Sequence, residues 1–493
     1  MTPTREYHEA TKYSPENLGS QASLNWAQQP EPYKTFHSTE RVELVEDLLV
    51  GRDPVSGIPR LDDISAGMLD RAALSTLLLH TNGVTAVLKE AEGKEHLFRA
   101  APSAGALYPT EIYVALRDLP DVADGLYNYQ VRHHCLAPLL DGDFWNDLED
   151  ISFSHPAVRR SRCIMLFSAV FFRSSWRYHE RAYRRILLDT GHVIGNATTF
   201  APVLGHRCVP IPDFRDADLD ALMLFDREAE SSLLLAAVVE EDTGLQAGPR
   251  RRSNHAPTTC DVHSIPAVHQ AGDLRGDETD GASPSDEAAV TVRGDVLTRP
   301  PISWTPDDLC QTILNRRSTR RLTGGPLPVE ELDQVLATGY ADRTEGRNRG
   351  DALIAPDLLK TWIIALNVTD LEPGVHAFDP ETASRRLVRP GSFALQCHAF
   401  CLGQELGRDA AAVIVHTASL DSVDRRYGDR GYRYLGLDAG QIGERMNLAA
   451  VRLGLGVSGI GGYFDDQVCD VLELPQSEAV VYITVLGQPP QPF

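Results

Sequence analysis

The sequence predicts an α+β protein that consists of two related halves joined in tandem. A repeated motif, Arg-Tyr-x-x-Arg-x-Tyr-Arg-x-x-x-Leu-Asp-x-Gly, occupies residues 177–191 and 426–440 at an offset of 249 positions. Short apolar runs typical of strands alternate with longer helical patterns in each half. Two copies of this length do not form a solenoid, which needs more and shorter repeats. The chain is therefore expected to be a fused pair of related domains.

Strands and helices can be assigned in order along both halves. A long amphipathic helix is expected at 183–204 and again at 432–453, and each copy carries two glycines on its face that allow a second helix or a cofactor to approach closely. The predicted strands are 111–116, 164–172, 361–365, 411–416 and 480–486.

Composition limits the classes of partner. The chain has 493 residues and 42% hydrophobic content, which is ample material for two cores. Its net charge of -22 predicts that neither nucleic acid nor an anionic membrane is a partner. The N-terminus is polar, and no apolar run reaches the roughly 18 residues of a membrane span. We expect a cytoplasmic protein.

The expected boundaries follow a change in composition. Residues 1–247 form the N-terminal half, residues 248–300 an acidic flexible linker, and residues 301–493 the C-terminal half. The linker is rich in Asp, Gly, Ser, Pro and Arg, and therefore offers almost nothing to a core.

The cysteines predict neither a disulfide framework nor a metal site. Eight of them are scattered without a CxxC pair, and we interpret them as mostly buried thiols. Cys260 lies near His255, His263 and His269 in the linker, but one cysteine without a second ligand pair predicts no metal ion.

A loop bounded by proline and glycine is the first candidate for a binding site. Residues 102–109 read PSAGALYP and run into the predicted strand at 111–116, so their backbone can lie against a flat ligand. Taken alone, such a loop is as often a simple turn.

Together these motifs resemble the SagB/ThcOx-type dehydrogenases of the nitroreductase superfamily, which include the flavin-dependent azoline dehydrogenases of thiazole/oxazole-modified peptide biosynthesis. The likeness covers nearly the whole chain apart from the linker. The segments that carry it are YHEATKYSPE at 7–16, NWAQQP at 25–30, PSAGALYPTEIYV at 102–114, both copies of the repeated motif, RRSTR at 316–320 and GLGVSGIGGY at 454–463.

The resemblance implies tandem nitroreductase-like halves that form an intrachain pseudo-dimer around FMN. One half would supply the phosphate and ribityl contacts through guanidinium and hydroxyl groups, from Arg316, Arg317, Ser318 and Arg320. The same half would place a glycine-containing loop beside the isoalloxazine, formed by Gly459, Ile460, Gly461 and Gly462. The other half would close the site with Pro102, Ser103, Ala104 and Gly105. Without the resemblance, a solvated basic cluster and a glycine turn that ends a helix explain the first two segments.

Only one of the two pseudo-symmetric sites retains these elements. We call residues 102–109 the Pro-Ser loop. The positions opposite this loop in the other half fall near 351–358, and the positions opposite RRSTR fall near 61–67. Opposite the glycine loop stand Pro210 and Pro212, which lack backbone donors. We therefore expect one FMN per chain.

The candidate catalytic residues lie where this sequence differs from the family pattern. The azoline dehydrogenases of the family use a Lys-Tyr pair, which matches Arg177-Tyr178 and Arg426-Tyr427 here. Arginine does not act as a base in proteins, so Tyr178 and Tyr427 are the acid/base candidates. The alternative is that both pairs are structural clusters at a helix start.

The implied activity is oxidation of a modified peptide or small natural product, of the azoline-to-azole type, with biosynthetic enzymes as partners. Two alternatives stay open. One is NAD(P)H-dependent reduction of a nitro, quinone or enone compound, and the other is a flavin-free scaffold that binds a peptide or a partner enzyme.

Overall fold

The computed structural model of the chain describes residues 2–18, 24–36, 40–44, 69–89, 95–240, 250–253, 261–276, 294–341 and 352–490. The predictions for residues 61–67, His255, Cys260 and position 351 lie outside these ranges.

Helices occupy both halves and part of the segment between them. Their bounds are α1 Pro3–Ala10, α2 Pro15–Leu18, α3 Arg71–Asn82, α4 Trp145–Ile151, α5 Pro156–Arg160, α6 Phe171–Tyr178, α7 Ala182–Phe200, α8 Asp216–Leu222, α9 Ile265–Ala271, α10 Pro306–Asn315, α11 Val329–Gly339, α12 Ala394–Phe400, α13 Glu405–Asp409, α14 Leu420–Tyr427, α15 Arg430–Arg452 and α16 Asp465–Leu472.

The strands are distributed equally between the halves. Their bounds are β1 Val42–Glu43, β2 Val84–Lys89, β3 Glu95–Arg99, β4 Thr110–Leu116, β5 Gly125–Gln130, β6 Cys135–Asp141, β7 Cys163–Val170, β8 His206–Ile211, β9 Glu230–Glu240, β10 Asp295–Val296, β11 Leu327–Pro328, β12 Lys360–Ala365, β13 Val368–Thr369, β14 Gly374–Asp379, β15 Ser384–Pro390, β16 Ala412–Ser419, β17 Gly456–Ile460 and β18 Glu478–Gly487.

Each half contains one seven-stranded antiparallel sheet. The strand order is β1-β6-β5-β4-β7-β9-β8 in the N-terminal half and β10-β15-β14-β12-β16-β18-β17 in the C-terminal half. Every strand of the first sheet has a counterpart at the same place in the second, so the 249-residue repeat extends to the whole topology. The predicted tandem α+β fold is confirmed.

Several predicted boundaries were wrong by two to four residues. The elements predicted at 411–416, 432–453 and 480–486 extend over Ala412–Ser419, Arg430–Arg452 and Glu478–Gly487. The strand predicted at 164–172 ends at Val170, the last residue that pairs with β9, and helix α6 begins at Phe171. The helix predicted at 183–204 ends at Phe200 and continues as a 3-10 turn over Ala201–Leu204 that contains Pro202. Proline cannot continue the α-helical hydrogen bonding.

The two long helices α7 and α15 cross at their glycines. A Cβ on Gly191 would overlap the carbonyl oxygen of Leu437, and a Cβ on Gly440 would overlap that of Leu188. Gly191 and Gly440 occupy equivalent positions of the repeat, so the crossing lies on the pseudo-two-fold axis. Only glycine allows the two backbones to approach this closely.

A buried ion triad ties the N-terminal half to the C-terminal half. Asp465 at the start of α16 accepts hydrogen bonds from Arg181 at 2.8 Å and from Arg184 of α7 at 2.5 Å. All three side chains are at most 7% exposed. Burial would raise the pKa of Asp465, but the two guanidinium groups hold it below its ordinary range.

The repeat produces the reciprocal triad. Asp216 at the start of α8 in the N-terminal half accepts from Arg430 and Arg433 of α15, and these side chains are also buried. Burial opposes ionisation of Asp216, whereas Arg430 and Arg433 lower its pKa. The interface is therefore isologous within one chain, as in a two-fold dimer.

The predicted linker contributes more than expected. Helix α9 falls inside it, and Val268 and His269 are buried. His269 bonds to the hydroxyl of Tyr183 at 3.0 Å, and its carbonyl oxygen accepts from Arg433 at 3.2 Å. The expectation that residues 248–300 add almost nothing to a core is wrong for this helix, because its apolar side chains cover the junction of the halves.

Two expectations from composition can be compared with the described residues. Seven of the cysteines lie in this part of the chain, and all seven are free and buried. None of its helices combines the length and the apolar character that a membrane crossing requires.

Asp465→Ala should lower the free energy of unfolding by roughly 3–5 kcal/mol, because it leaves two buried guanidinium groups without a counter-charge. The control is Asp409→Ala, which removes an ion pair with the exposed Arg408 and should cost less than about 1 kcal/mol. Denaturant unfolding measures both. Equal losses would show that the triad contributes no more than a surface pair.

Candidate active site between the two halves

A cavity of about 660 Å³ opens between the two halves. The N-terminal half contributes the Pro-Ser loop and the end of α6, and the C-terminal half contributes the RRSTR segment and the glycine loop. The predicted site residues that line it are Pro102, Ser103, Ala104, Gly105, Tyr178, Ser318, Arg320, Gly459, Gly461 and Gly462. Residues more than two hundred positions apart thus meet in one site.

Asp189 of α7 anchors the Pro-Ser loop. Its carboxylate accepts from the hydroxyl of Ser103 at 2.6 Å and from the backbone N-H of Ala104 at 3.1 Å. Burial raises the pKa of Asp189 to about 7, although the bonds from Ser103 and Ala104 and the charge of Arg185 act in the opposite direction. This aspartate belongs to the repeated motif, so the repeat itself indicates which residue holds the loop.

Gly105 meets a conformational and a steric requirement. Its φ is +65°, a region that other residues rarely adopt. A Cβ at this position would lie 2.8 Å from the hydroxyl of Tyr178. The loop therefore carries no side chain at the point where it meets the tyrosine.

Tyr178 presents its hydroxyl at the cavity from the end of α6. The guanidinium of Arg185 lies 3.9 Å from the centre of its ring. Burial raises the pKa of Tyr178, while Arg185 and Arg177 lower it in part. The phenol is consequently protonated near neutral pH and can donate a proton.

Tyr427, the second predicted catalytic residue, does not line this cavity. It occupies the equivalent position of the other half, is buried, and packs edge-on against Tyr434 with ring centres 5.6 Å apart. The structure therefore gives Tyr427 a packing position, and the acid/base hypothesis rests on Tyr178.

Hydrogen bonds to β17 fix the RRSTR segment in the C-terminal wall. The N-H of Thr319 donates to the carbonyl of Val457 at 2.8 Å, and the N-H of Val457 donates to Oγ1 of Thr319 at 3.0 Å. The flanking residues Ser318 and Arg320 face the cavity, Ser318 half-buried and Arg320 exposed.

Arg316 and Arg317 do not line the cavity, contrary to the direct role that the resemblance implies. Arg316 donates to the carbonyl oxygens of Ala100 at 2.6 Å and Arg99 at 3.1 Å. Arg317 donates to Oγ1 of Thr85 at 3.1 Å and to its carbonyl oxygen at 3.2 Å. Both guanidinium groups donate hydrogen bonds to the opposite half. These two residues therefore position the Pro-Ser loop and the β2–β3 hairpin that precedes it.

The glycine loop contributes backbone at three of its four residues. A Cβ on Gly459 would overlap the hydroxyl of Tyr482, and one on Gly461 would lie 3.2 Å from Nε of Arg185. Ile460, also predicted to bind the cofactor, turns its side chain into the core of the C-terminal half and is 2% exposed. Alternation along β17 explains this difference, since adjacent side chains of a strand point to opposite faces.

Several lining residues were not predicted. Arg185, Asp189 and His192 follow one another on the cavity face of α7. His192 bonds the hydroxyl of Tyr482 at 2.9 Å, and burial lowers its pKa to about 4, so it is neutral. The repeated motif contained a signal for Asp189, but the specific residue types at 185 and 192 are not part of it.

At the equivalent place of the other half, the described loop residues are apolar and buried. Asp438 accepts from the backbone N-H groups of Leu353 at 3.3 Å and Ile354 at 3.4 Å, as Asp189 does from its own loop. Here, however, Leu353 and Ile354 are fully buried apolar residues. Pro212 stands where the other half has Gly461, and its carbonyl oxygen accepts from Arg430 at 2.5 Å. These contacts support the expectation of one site per chain.

One buried cluster has the composition of a metal site. Ligand atoms of Asp216, His269 and Asp273 lie within 4.8 Å of one another. The two arginines of α15 neutralise Asp216, and Arg227 pairs with Asp273 at 2.8 Å. Arginines therefore supply the positive charge in this cluster, which we assign to the interface.

The fold and the cavity define a two-domain α+β protein with a composite site between its halves. The profile of the nitroreductase family matches residues 67–238 and 313–488, so the chain belongs to this family of oxidoreductases and carries its domain twice.

Similar proteins cover the chain to different extents. The crystal structure of an Anabaena variabilis protein assigned as a nitroreductase has a TM-score of 0.85 and 37% identity, and the match covers 99% of this chain and 100% of that one. The Methanocaldococcus jannaschii protein MJ1384, assigned as a nitroreductase, is 28% identical over 184 residues, 37% of this chain and 85% of that protein. The trifolitoxin-processing protein TfxB of Rhizobium leguminosarum bv. trifolii is 35% identical over 118 residues, 22% of this chain and 31% of TfxB.

Asp189→Asn keeps the acceptor for Ser103 but removes the ionisable group. The pKa of Asp189 is raised from 3.8 to about 7 in the folded protein, so ionisation favours the unfolded state and wild-type stability falls as the pH rises through this window. The variant should gain stability relative to wild type between about pH 4 and pH 7, by at most about 1.4 kcal/mol per pH unit. Urea unfolding across this range measures the difference. A constant difference would show that Asp189 is ionised in the folded protein throughout.

Proposed function

We propose that the chain is an FMN-dependent oxidoreductase that binds one FMN in the cavity between its halves. The single observation that carries the proposal is the composite lining, in which Ser103 and Gly105 of one half face Ser318, Arg320 and the glycine loop of the other. At the equivalent place of the other half, the loop residues Leu353 and Ile354 are apolar and buried.

The lining fits this cofactor chemically. A volume of about 660 Å³ lies in the usual range for sites that bind cofactors. The guanidinium of Arg320 and the hydroxyl of Ser318 would hold the phosphate end. The backbone of Gly105, Gly461 and Gly462 offers a surface without side chains for a flat ring system. FMN would supply a two-electron carrier that accepts or donates hydride.

The residues around the cofactor would control protons and orientation. Tyr178 holds a proton on its hydroxyl at the cavity, and the stacked Arg185 fixes the ring. Asp189 keeps the Pro-Ser loop in place through Ser103 and Ala104. Arg316 does the same from the opposite half through the carbonyl oxygens that precede the loop.

For the substrate, we favour a modified peptide or small natural product that is dehydrogenated at a ring, as in azoline-to-azole oxidation. The resemblance to SagB/ThcOx-type dehydrogenases supports this class, and the similarity to a trifolitoxin-processing protein agrees with a peptide substrate and with biosynthetic partner enzymes.

The protonation of Tyr178 favours a second candidate function. Oxidation of an azoline requires removal of a proton, whereas reduction of a nitro, quinone or enone compound requires its delivery. Burial raises the pKa of the Tyr178 phenol, so at neutral pH the group carries its proton and is not available as a base. The similarity to a Methanocaldococcus jannaschii protein assigned as a nitroreductase points in the same direction. Reduction of the flavin by a thiazoline peptide would support the first function. Reduction of the flavin by NAD(P)H, followed by its reoxidation by a nitro compound, would support the second.

Titration of flavin-free protein should give one FMN per chain. Arg320→Ala should weaken FMN binding by about ten- to a hundredfold, because it removes a charge-assisted bond worth roughly 1.5–3 kcal/mol. Arg71→Ala is the control, because Arg71 is an exposed arginine outside the cavity lining and its loss should leave the affinity unchanged. Flavin fluorescence quenching measures the affinity, and chromatography of the released flavin the ratio. Two FMN per chain, or equal effects of both variants, would contradict the proposed site.

Tyr178→Phe should slow turnover by about 10²–10⁴-fold without changing the affinity for FMN, since it removes the proton that the phenol carries at the cavity. The matched control is Tyr427→Phe, the equivalent position of the other half, which should turn over at the wild-type rate. Stopped-flow measurement of visible flavin absorbance, with a thiazoline peptide or with NAD(P)H and a nitro compound, gives the rates. A similar loss in both variants would point to a structural role for both tyrosines.

A further inference from the structure

Arg185 is a buried cation without an ion-pair partner among the described residues. It lies on α7, lines the cavity and is 5% exposed. Arg181 and Arg184, within the preceding turn, are both paired with Asp465. A buried guanidinium without a counter-charge is costly unless a ligand supplies that charge.

Arg185 uses little of its hydrogen-bonding capacity within the described part of the chain. A guanidinium has five N-H donors, and within the described chain Arg185 makes one hydrogen bond, from Nη2 to the hydroxyl of Tyr13 at 3.4 Å. Its Nη1 has no protein partner there. Its Cζ lies 3.9 Å from the centre of the Tyr178 ring, and Nε faces Gly461, so contacts on two sides hold the group at the cavity wall.

The neighbouring carboxylate on α7 is already engaged. Asp189, one turn further along α7, directs its oxygens at Ser103 and Ala104 rather than at Arg185. The residue of α15 equivalent to Arg185 is Tyr434, whose hydroxyl donates to Asp213 at 2.5 Å. The unpaired cation is thus present only in the half that contributes Tyr178 to the open site.

We propose that Arg185 recognises a carboxylate of the substrate and holds the reacting ring beside Tyr178. The proposal rests on the proposed function and adds the charge of the substrate. An anionic oxygen could come from two sources, the FMN phosphate and the substrate. Arg185 contacts Tyr178 and Gly461, whereas Ser318 and Arg320, the phosphate candidates, belong to the segment fixed on β17. This arrangement favours the substrate, rather than the FMN phosphate, as the source of the anionic oxygen that Arg185 binds.

The test uses two probes of equal shape on the FMN-loaded chain, 2-methylthiazoline-4-carboxylate and its uncharged carboxamide. Isothermal titration calorimetry and the perturbation of flavin absorbance give the affinities without turnover. Wild type should bind the carboxylate at least about tenfold more tightly than the carboxamide. Arg185→Met should abolish this preference through loss of carboxylate affinity alone, and Arg185→Lys, which retains the charge, should keep part of it. If Arg185→Met does not fold, Arg185→Gln supplies the neutral variant.

Arg177→Met is the matched control, because Arg177 lines the same cavity but is exposed and screened by water. It should change the preference by less than about threefold. Equal effects of the two arginines, no preference in wild type, or a loss of FMN affinity in Arg185→Met would each overturn the assignment. A chain that takes up no FMN contradicts the proposed function. A chain that takes up FMN and shows no preference contradicts only the role of Arg185.

Discussion

The close crossing of α7 and α15 is the constraint on which the rest of the structure depends. Gly191 and Gly440 allow the two backbones to touch, and the triads centred on Asp216 and Asp465 flank the junction in reciprocal fashion. Separation of the halves would break these four ion pairs and expose to water the apolar cluster that the two halves share. The loss of this apolar burial is costly, so the halves function as one unit. The cavity exists only because this unit exists.

Duplication with asymmetric divergence explains why one chain has one candidate site. The framework that holds the loops is kept in both halves, as the equivalent roles of Asp189 and Asp438 show. The groups that would meet a ligand are not kept. Gly105 corresponds to the buried Ile354, and Gly461 to Pro212. Residues at the interface must therefore remain compatible with both halves, whereas residues at the second, pseudo-symmetric place are free to become part of the hydrophobic core.

The sequence was a good guide to the fold because the repeat gives two independent copies of each pattern. The tandem α+β fold follows from the 249-residue offset, and the recognised motifs indicated which segments of the two halves line the cavity. The errors at the candidate site concern side-chain direction. Arg316 and Ile460 lie in the predicted segments, yet one bonds the opposite half and the other faces the core. A motif fixes the position of a backbone segment, but tertiary contacts decide which way each side chain points.

Helix α7 shows how the interface and the site are coupled. Arg184, Gly191 and Gly195 face the C-terminal half, where they pair with Asp465 or meet α15. Arg185 and Asp189 lie on the adjacent face, which lines the cavity. Because 3.6 residues make one turn, neighbouring positions of one helix serve two purposes without interfering. A shift of this helix at the crossing would move the group that anchors the Pro-Ser loop and the cation beside Tyr178 together. Because the halves are fused in one chain, each N-terminal half always has one C-terminal half as its partner. A dimer of two different subunits that can dissociate would not guarantee this pairing.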